Sequence, residues 1–186
     1  MAYSHEDVVD DAEYLTRSEV TLLAIVNCGP VRITRIQKLG LFIEKVLEGK
    51  LELSYGAYNF GAYSDSLGEA VSSMVGDGAI KLVRELYQIT PYGSDLLSEA
   101  KNNPDFKELV DKIPQIVSFF ESLSDQQLLR LSYVLYPETT GKSLIKDDVD
   151  KINSDRKSFK IGDLEVTTGL SKDEVEAELK RRLEDV

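Results

Sequence analysis

The sequence predicts a mainly α fold carrying one small β-hairpin. Three observations lead there. Apolar residues recur mostly at spacings of three and four, the helical period. The segments marked this way open on Ser, Thr or Pro and close on Gly, Pro or Asn. One stretch, residues 79–90, instead alternates apolar and polar residues on either side of a link at Glu85, as a tight hairpin does.

The elements follow in order. The first thirteen residues carry Glu6, Asp7, Asp10, Asp11 and Glu13 with no Lys or Arg, which excludes a secretory leader and reads as an acidic, mobile start. Residues 17–27 predict a buried helix stopped by Gly29-Pro30. Thr34 is the expected N-cap of a second helix, with Ile36, Leu39, Ile43 and Val46 on one stripe and Gly49 at its end. Leu51, Leu53 and Tyr55 alternate like a half-buried strand, and Tyr58 to Tyr63 predict a packed, tightly turned connection. Ser64 caps a third helix to Asp77, with Gly78 at the left-handed position. After the hairpin, Pro91 opens a helix that turns Tyr92, Leu96, Leu97 and Ala100 inward, and Asn102-Asn103-Pro104 breaks it. A longer helix is expected over residues 105–122, kinked or split at Pro114. Ser124 to Gln127 forms a capping box that starts the next helix, which Pro137 ends. Another short helix is expected over residues 142–153, and a basic hinge or arm over 154–163 with Arg156, Lys157 and Lys160. Ser171 to Glu174 is a further capping box, opening a terminal helix through Glu184.

The order helix, helix, strand, helix, hairpin, helix over residues 15–102 is that of a winged helix-turn-helix, with residues 103–186 as a helical extension. In that frame the helix 64–77 occupies the recognition position, and the hairpin 79–90 is the wing.

The segment Tyr58-Asn59-Phe60-Gly61-Ala62-Tyr63-Ser64-Asp65-Ser66-Leu67 resembles the Tyr-Gly-Pro-Tyr-Ser-x-x-Leu segment of the YwgA-like and Panacea (SocA-like) antitoxin-related prokaryotic proteins, with Ala62 where their proline is usual. The later phrase Tyr136-Pro137-Glu138-Thr139 with Ser143-Leu144-Ile145-Lys146 is similar to a tail in members of that group. The resemblance covers roughly residues 17–150. It implies a winged-helix fold and a regulatory or antitoxin-like role.

Charge narrows the partners. The chain has 33 acidic and 22 basic residues, a net charge of −11. That argues against a generic nucleic-acid coat and against anionic membranes. The longest apolar run, Val20 to Val26, is far short of the roughly 20 residues that span a bilayer, so the expectation is a soluble, cytoplasmic protein. The helix 64–77 exposes Asp65, Glu69 and Asp77 and no base, which is poor chemistry for phosphate. The candidate DNA-binding residues are therefore Arg32, Arg35 and Lys38 on the second helix and Lys81 and Arg84 on the wing. The alternative is a solvated face on a winged helix that binds protein. Val175, Leu179 and Leu183, spaced by four, are candidate contacts for a partner or a second copy.

Other constellations do not amount to chemistry. Thr140-Gly141-Lys142-Ser143 mimics the end of a phosphate loop, but Tyr136 stands where its first glycine belongs. Asp147, Asp148 and Asp150 diverge around a helix and read as a solvated face. Cys28 reads as a small core residue, and His5 has no partner in sequence. Tyr55, Tyr58, Phe60 and Tyr63 pack against the third helix or, second in preference, line a ligand pocket. Val166-Thr167-Thr168 favour a strand or loop before the last helix over a second helix-turn-helix. With no acid, base and nucleophile set in view, the expectation is a non-enzymatic protein without cofactor or metal. It acts in transcription regulation by binding DNA or, in the alternative, as a protein-interaction module.

Overall fold

A computed structural model describes residues 4–145, 147, 159–161, 164–166 and 172–184. The elements are α1 (His5–Glu13), α2 (Arg17–Asn27), α3 (Ile33–Val46), β1 (Gly56–Tyr58), β2 (Gly61–Tyr63), α4 (Asp65–Gly76), β3 (Ile80–Val83), β4 (Leu86–Ile89), α5 (Pro91–Ala100), α6 (Pro104–Phe119), α7 (Asp125–Leu135), β5 (Phe159–Ile161), β6 (Leu164–Val166) and α8 (Lys172–Glu184). A 3-10 turn, Pro137–Thr140, follows α7. The fold is mainly helical with small antiparallel hairpins. Among the described residues, no helix is long and apolar enough to cross a membrane.

Helix α2 is the centre of the molecule. Thr16 and Glu19 close a capping box at its start, and every residue from Val20 to Val26 is buried. A helix apolar all round must be covered on all sides. Helices α3, α4, α5 and α6 supply that cover, α6 most extensively. One cluster of buried side chains runs from Val8 to Tyr136 and takes in Val175, so the boundary expected near residue 102 falls inside a shared core. Pro114 sits within an unbroken α6. Arg35 ties the α6–α7 corner to α3: its guanidinium donates to the carbonyls of Phe120 (2.9 Å) and Leu123 (2.8 Å) and to Asp125 (3.1 Å).

The acidic start is a helix rather than a mobile segment. Ser4 and Asp7 form its capping box, Val8 and Ala12 are buried, and Asp11 accepts a hydrogen bond from the Tyr92 hydroxyl on α5. Its apolar face is narrow, and only α5 gives that face something to cover. Helix α3 starts two residues earlier than expected, with Arg32 rather than Thr34 as an N-cap that makes no side-chain bond. Leu51 and Leu53 are buried as their alternation predicts, yet they form no strand. The Glu44 carboxylate accepts the Leu51 N–H at 3.2 Å and also bonds the Leu53 N–H, taking the place of a neighbouring strand.

The β3–β4 hairpin pairs Ile80 with Ile89 and Val83 with Leu86. Its turn residues, Arg84 (φ 49°) and Glu85 (φ 69°), both adopt the left-handed conformation. A two-residue turn of this kind matches the strand twist but favours Asn and Gly. On its other side, β4 exchanges backbone hydrogen bonds with Val31: Val31 N–H to the Tyr87 carbonyl at 3.0 Å, and Tyr87 N–H to the Val31 carbonyl at 2.8 Å. The link between α2 and α3 therefore joins the hairpin as a one-residue third strand.

Further along, β5 and β6 form a hairpin with Phe159 opposite Val166. Part of the stretch expected to be a basic hinge is thus a strand, and residues 164–166 are the strand their composition favours. Helix α8 packs on α6 and α3, and Lys180 reaches Glu48 at 2.6 Å. The helix expected over residues 142–153 lies largely outside the described residues, as do the side chains of Leu179 and Leu183.

Candidate functional site

Two regions carry the candidate chemistry. The first is the surface of α4 and the β3–β4 hairpin. Ser64 caps α4 through its hydroxyl, and Leu67, Ala70, Val71 and Met74 face the core. That orientation turns Asp65, Glu69, Ser72, Ser73, Val75 and Asp77 outward. The exposed face of α4 therefore carries three carboxylates and no cation. Beside it the hairpin exposes Lys81, Leu82, Val83 and Arg84; Leu82 is 55% exposed, unusual for a large apolar side chain.

The five basic candidates for DNA contact do not share a surface. Lys81 and Arg84 are exposed on the hairpin. Arg32 is exposed but lies near Asp125 (3.8 Å) and Glu85 (4.0 Å). Arg35 is largely buried and spends its donors on the α6–α7 corner. Lys38 is 2% exposed. Arg35 and Lys38 are thus structural groups, not phosphate ligands. Arg35 is covered by the extension, through Phe120, Leu123 and Asp125, whereas Lys38 is covered by the β1–β2 turn. Val175 is fully buried in the core of its own chain and is no exposed contact for a second copy.

The second region is built around Lys38. Its ammonium donates to the carbonyls of Phe60 (2.7 Å) and Ala62 (2.8 Å), the two residues flanking Gly61 in the β1–β2 turn. Gly61 has φ +79°, and a Cβ there would sit 2.6 Å from the Tyr133 ring. Glycine is required on both counts. The same turn is held from the other side by Leu144, whose N–H donates to the Asn59 carbonyl at 3.0 Å. Next to Lys38 on α3, Gln37 brackets the N-cap of α4: its Oε1 accepts the Ser64 N–H (2.8 Å) and its Nε2 donates to the Ser64 carbonyl (3.2 Å).

This arrangement leaves a cavity of about 150 Å3 between α3 and the β1–β2 hairpin. Its walls are chiefly Ile33, Tyr58, Phe60, Ala62 and Tyr63, with Lys38 among the lining residues. Tyr58 and Tyr63 stack with ring centroids 5.1 Å apart, and Tyr58 and Phe60 are each half exposed. Burial alone pulls the Lys38 ammonium down to about 8, and among the described residues no carboxylate pairs with it. Of the aromatic set, Tyr55 and Tyr63 pack against α4 as expected: the Tyr63 ring lies against Gly68, and the Tyr55 hydroxyl is buried against Gly40 beside Leu67, without a hydrogen-bond partner among the described residues. The cavity was legible only in part: the aromatic density at 55–63 marked it, but nothing local placed Lys38 beneath the turn.

No group of His, Cys, Asp and Glu able to hold a metal ion occurs among the described residues. Cys28 is an exposed residue at the end of α2 and not the core residue expected, and partial burial of its sulfur together with the nearby Glu121 pushes the thiol up, away from nucleophilic character. No family model, curated protein or solved structure matches this chain.

Proposed function

We propose that residues 17–100 form a winged helix that serves as a non-enzymatic regulatory module and works by binding a protein. The element order α2, Val31, α3, α4, β3, β4, with the β1–β2 hairpin inserted between α3 and α4, supports the winged-helix reading, and so does the backbone exchange between Val31 and Tyr87. In such a fold α4 is the recognition helix and the β3–β4 hairpin is the wing.

The observation that carries the choice of a protein over DNA is the outward face of α4. Asp65, Glu69 and Asp77 would meet phosphates with like charge, and no cation on the helix offsets them. Two of the basic residues that favoured DNA, Arg35 and Lys38, are spent inside the fold. What remains exposed suits a protein surface better: Leu82 and Val83 flanked by Lys81 and Arg84 on the wing, with Val75 on α4. The resemblance at residues 58–67 implies the same regulatory or antitoxin-like class. DNA contact through Arg32, Lys81 and Arg84 is the second reading.

The test is affinity purification from the source cells with wild type and with a Leu82→Asp, Val83→Asp variant. Partners held by the wild type and lost with the variant are expected. The same partner set for both proteins contradicts the assignment of the wing as the contact.

A further inference from the structure

Lys38 is a buried cation without a counter-ion among the described residues. Its Nζ carries three N–H donors, and the two carbonyls of Phe60 and Ala62 account for two of them. A buried ammonium with no carboxylate beside it is costly, and it is ordinarily paired or deprotonated. Here it lines a cavity whose other walls are mainly apolar, with Thr34 and Gln37 the other polar residues and the half-exposed rings of Tyr58 and Phe60 among the lining. An apolar cavity of about 150 Å3 is the size that takes up a single benzene ring. The cavity thus offers a mainly apolar body one ring in size, and Lys38, one of its lining residues, carries a positive charge with one N–H unused among the described residues.

We propose that this cavity binds a small apolar monocarboxylate, its ring or branched chain against Ile33, Tyr58, Phe60 and Tyr63 and its carboxylate on the Lys38 ammonium. The anion supplies the counter-charge that the fold withholds and accepts the remaining N–H in a charge-assisted hydrogen bond. The binding is non-covalent. An apolar residue at the C-terminus of a peptide offers the same chemistry as a free acid. The inference goes beyond the protein-binding reading and does not depend on it, because the wing takes no part in this cavity.

The experiment uses the full chain, labelled with nitrogen-15, titrated with benzoate and separately with benzamide, its neutral isostere. Saturable shifts at the amides of Gly61, Ala62 and Tyr63 are expected, with benzoate bound at least tenfold more tightly. Lys38→Met erases that preference while leaving benzamide binding. If that variant does not fold, the wild-type comparison with the two ligands decides alone. A parallel titration with acetylated Ala-Phe, bearing a free C-terminus, separates the sources. Tighter binding than benzoate assigns the site to a chain end, and weaker binding assigns it to a free acid. Equal affinity for benzoate and benzamide, no saturable shift with either, or shifts confined to other parts of the chain would overturn the proposal.

Discussion

Lys38 makes stability depend on pH in a direction opposite to that of most buried groups. Burial lowers its ammonium from 10.5 to about 8 in the folded chain. Between these values the unfolded chain binds more protons than the folded one, so stability rises with pH. Below about pH 8 both states are protonated and the full cost of burying the charge, about 3 kcal/mol, is present. Between pH 7 and pH 9.5 roughly 2 kcal/mol of that cost is relieved. With a urea slope of about 2 kcal/mol/M, the midpoint should rise by about 1 M across this interval. The Cys28 thiol and the Tyr63 and Tyr133 phenols, all pushed up chiefly by burial, act in the opposite sense at the alkaline end. The readout is therefore the difference between wild type and Lys38→Met, each unfolded in urea at pH 7 and pH 9.5. The wild type should gain about 2 kcal/mol more than the variant over this interval. Equal pH dependence in the two proteins would refute the reasoning.

Three further outcomes follow from the packing. Arg35→Ala leaves the Phe120 and Leu123 carbonyls without their charged donor and should cost about 3 kcal/mol in urea unfolding. Gly61→Ala must adopt φ near +79° and push the Tyr133 ring aside, which should cost about 2–3 kcal/mol; a loss under about 0.5 kcal/mol would show that the turn does not sit on that ring. Replacing Arg84-Glu85 by Asn-Gly relaxes two left-handed residues in the wing turn and should raise thermal stability, by about 1 kcal/mol.

Much of the helical skeleton was legible because it rests on local signals. The Ser64 cap, the capping box at Ser124, the helix start at Pro91 and the Gly78 stop all sit where the sequence places them. What escaped depends on contacts far apart in sequence. Helix α1 needs α5 to cover Val8 and Ala12. Leu51 and Leu53 read as a strand by alternation, but a carboxylate on α3 takes up their backbone N–H groups. The third strand beside the β3–β4 hairpin is one residue long, Val31, and no periodicity marks a single residue. The candidate site divides in the same way. The acidity of α4 is plain in composition, whereas Arg35 and Lys38 looked like surface cations. Their carbonyl partners lie 85 and 88 residues away for Arg35 and 22 and 24 for Lys38. A basic residue at an exposed-looking helical position is indistinguishable in sequence from one that anchors a turn.

In the proposed function the surface of α4 and the β3–β4 hairpin takes up protein and not phosphate. Fluorescence anisotropy with random-sequence duplex DNA tests it most directly, because counterion release makes any phosphate binding tight at low salt and steeply salt-dependent. At about 50 mM salt no binding is expected below a Kd of roughly 100 µM, the weak end of ordinary non-specific affinity, and no change on Lys81→Glu with Arg84→Glu. Micromolar binding that weakens with added salt and is lost in that double variant would contradict it and restore DNA as the partner.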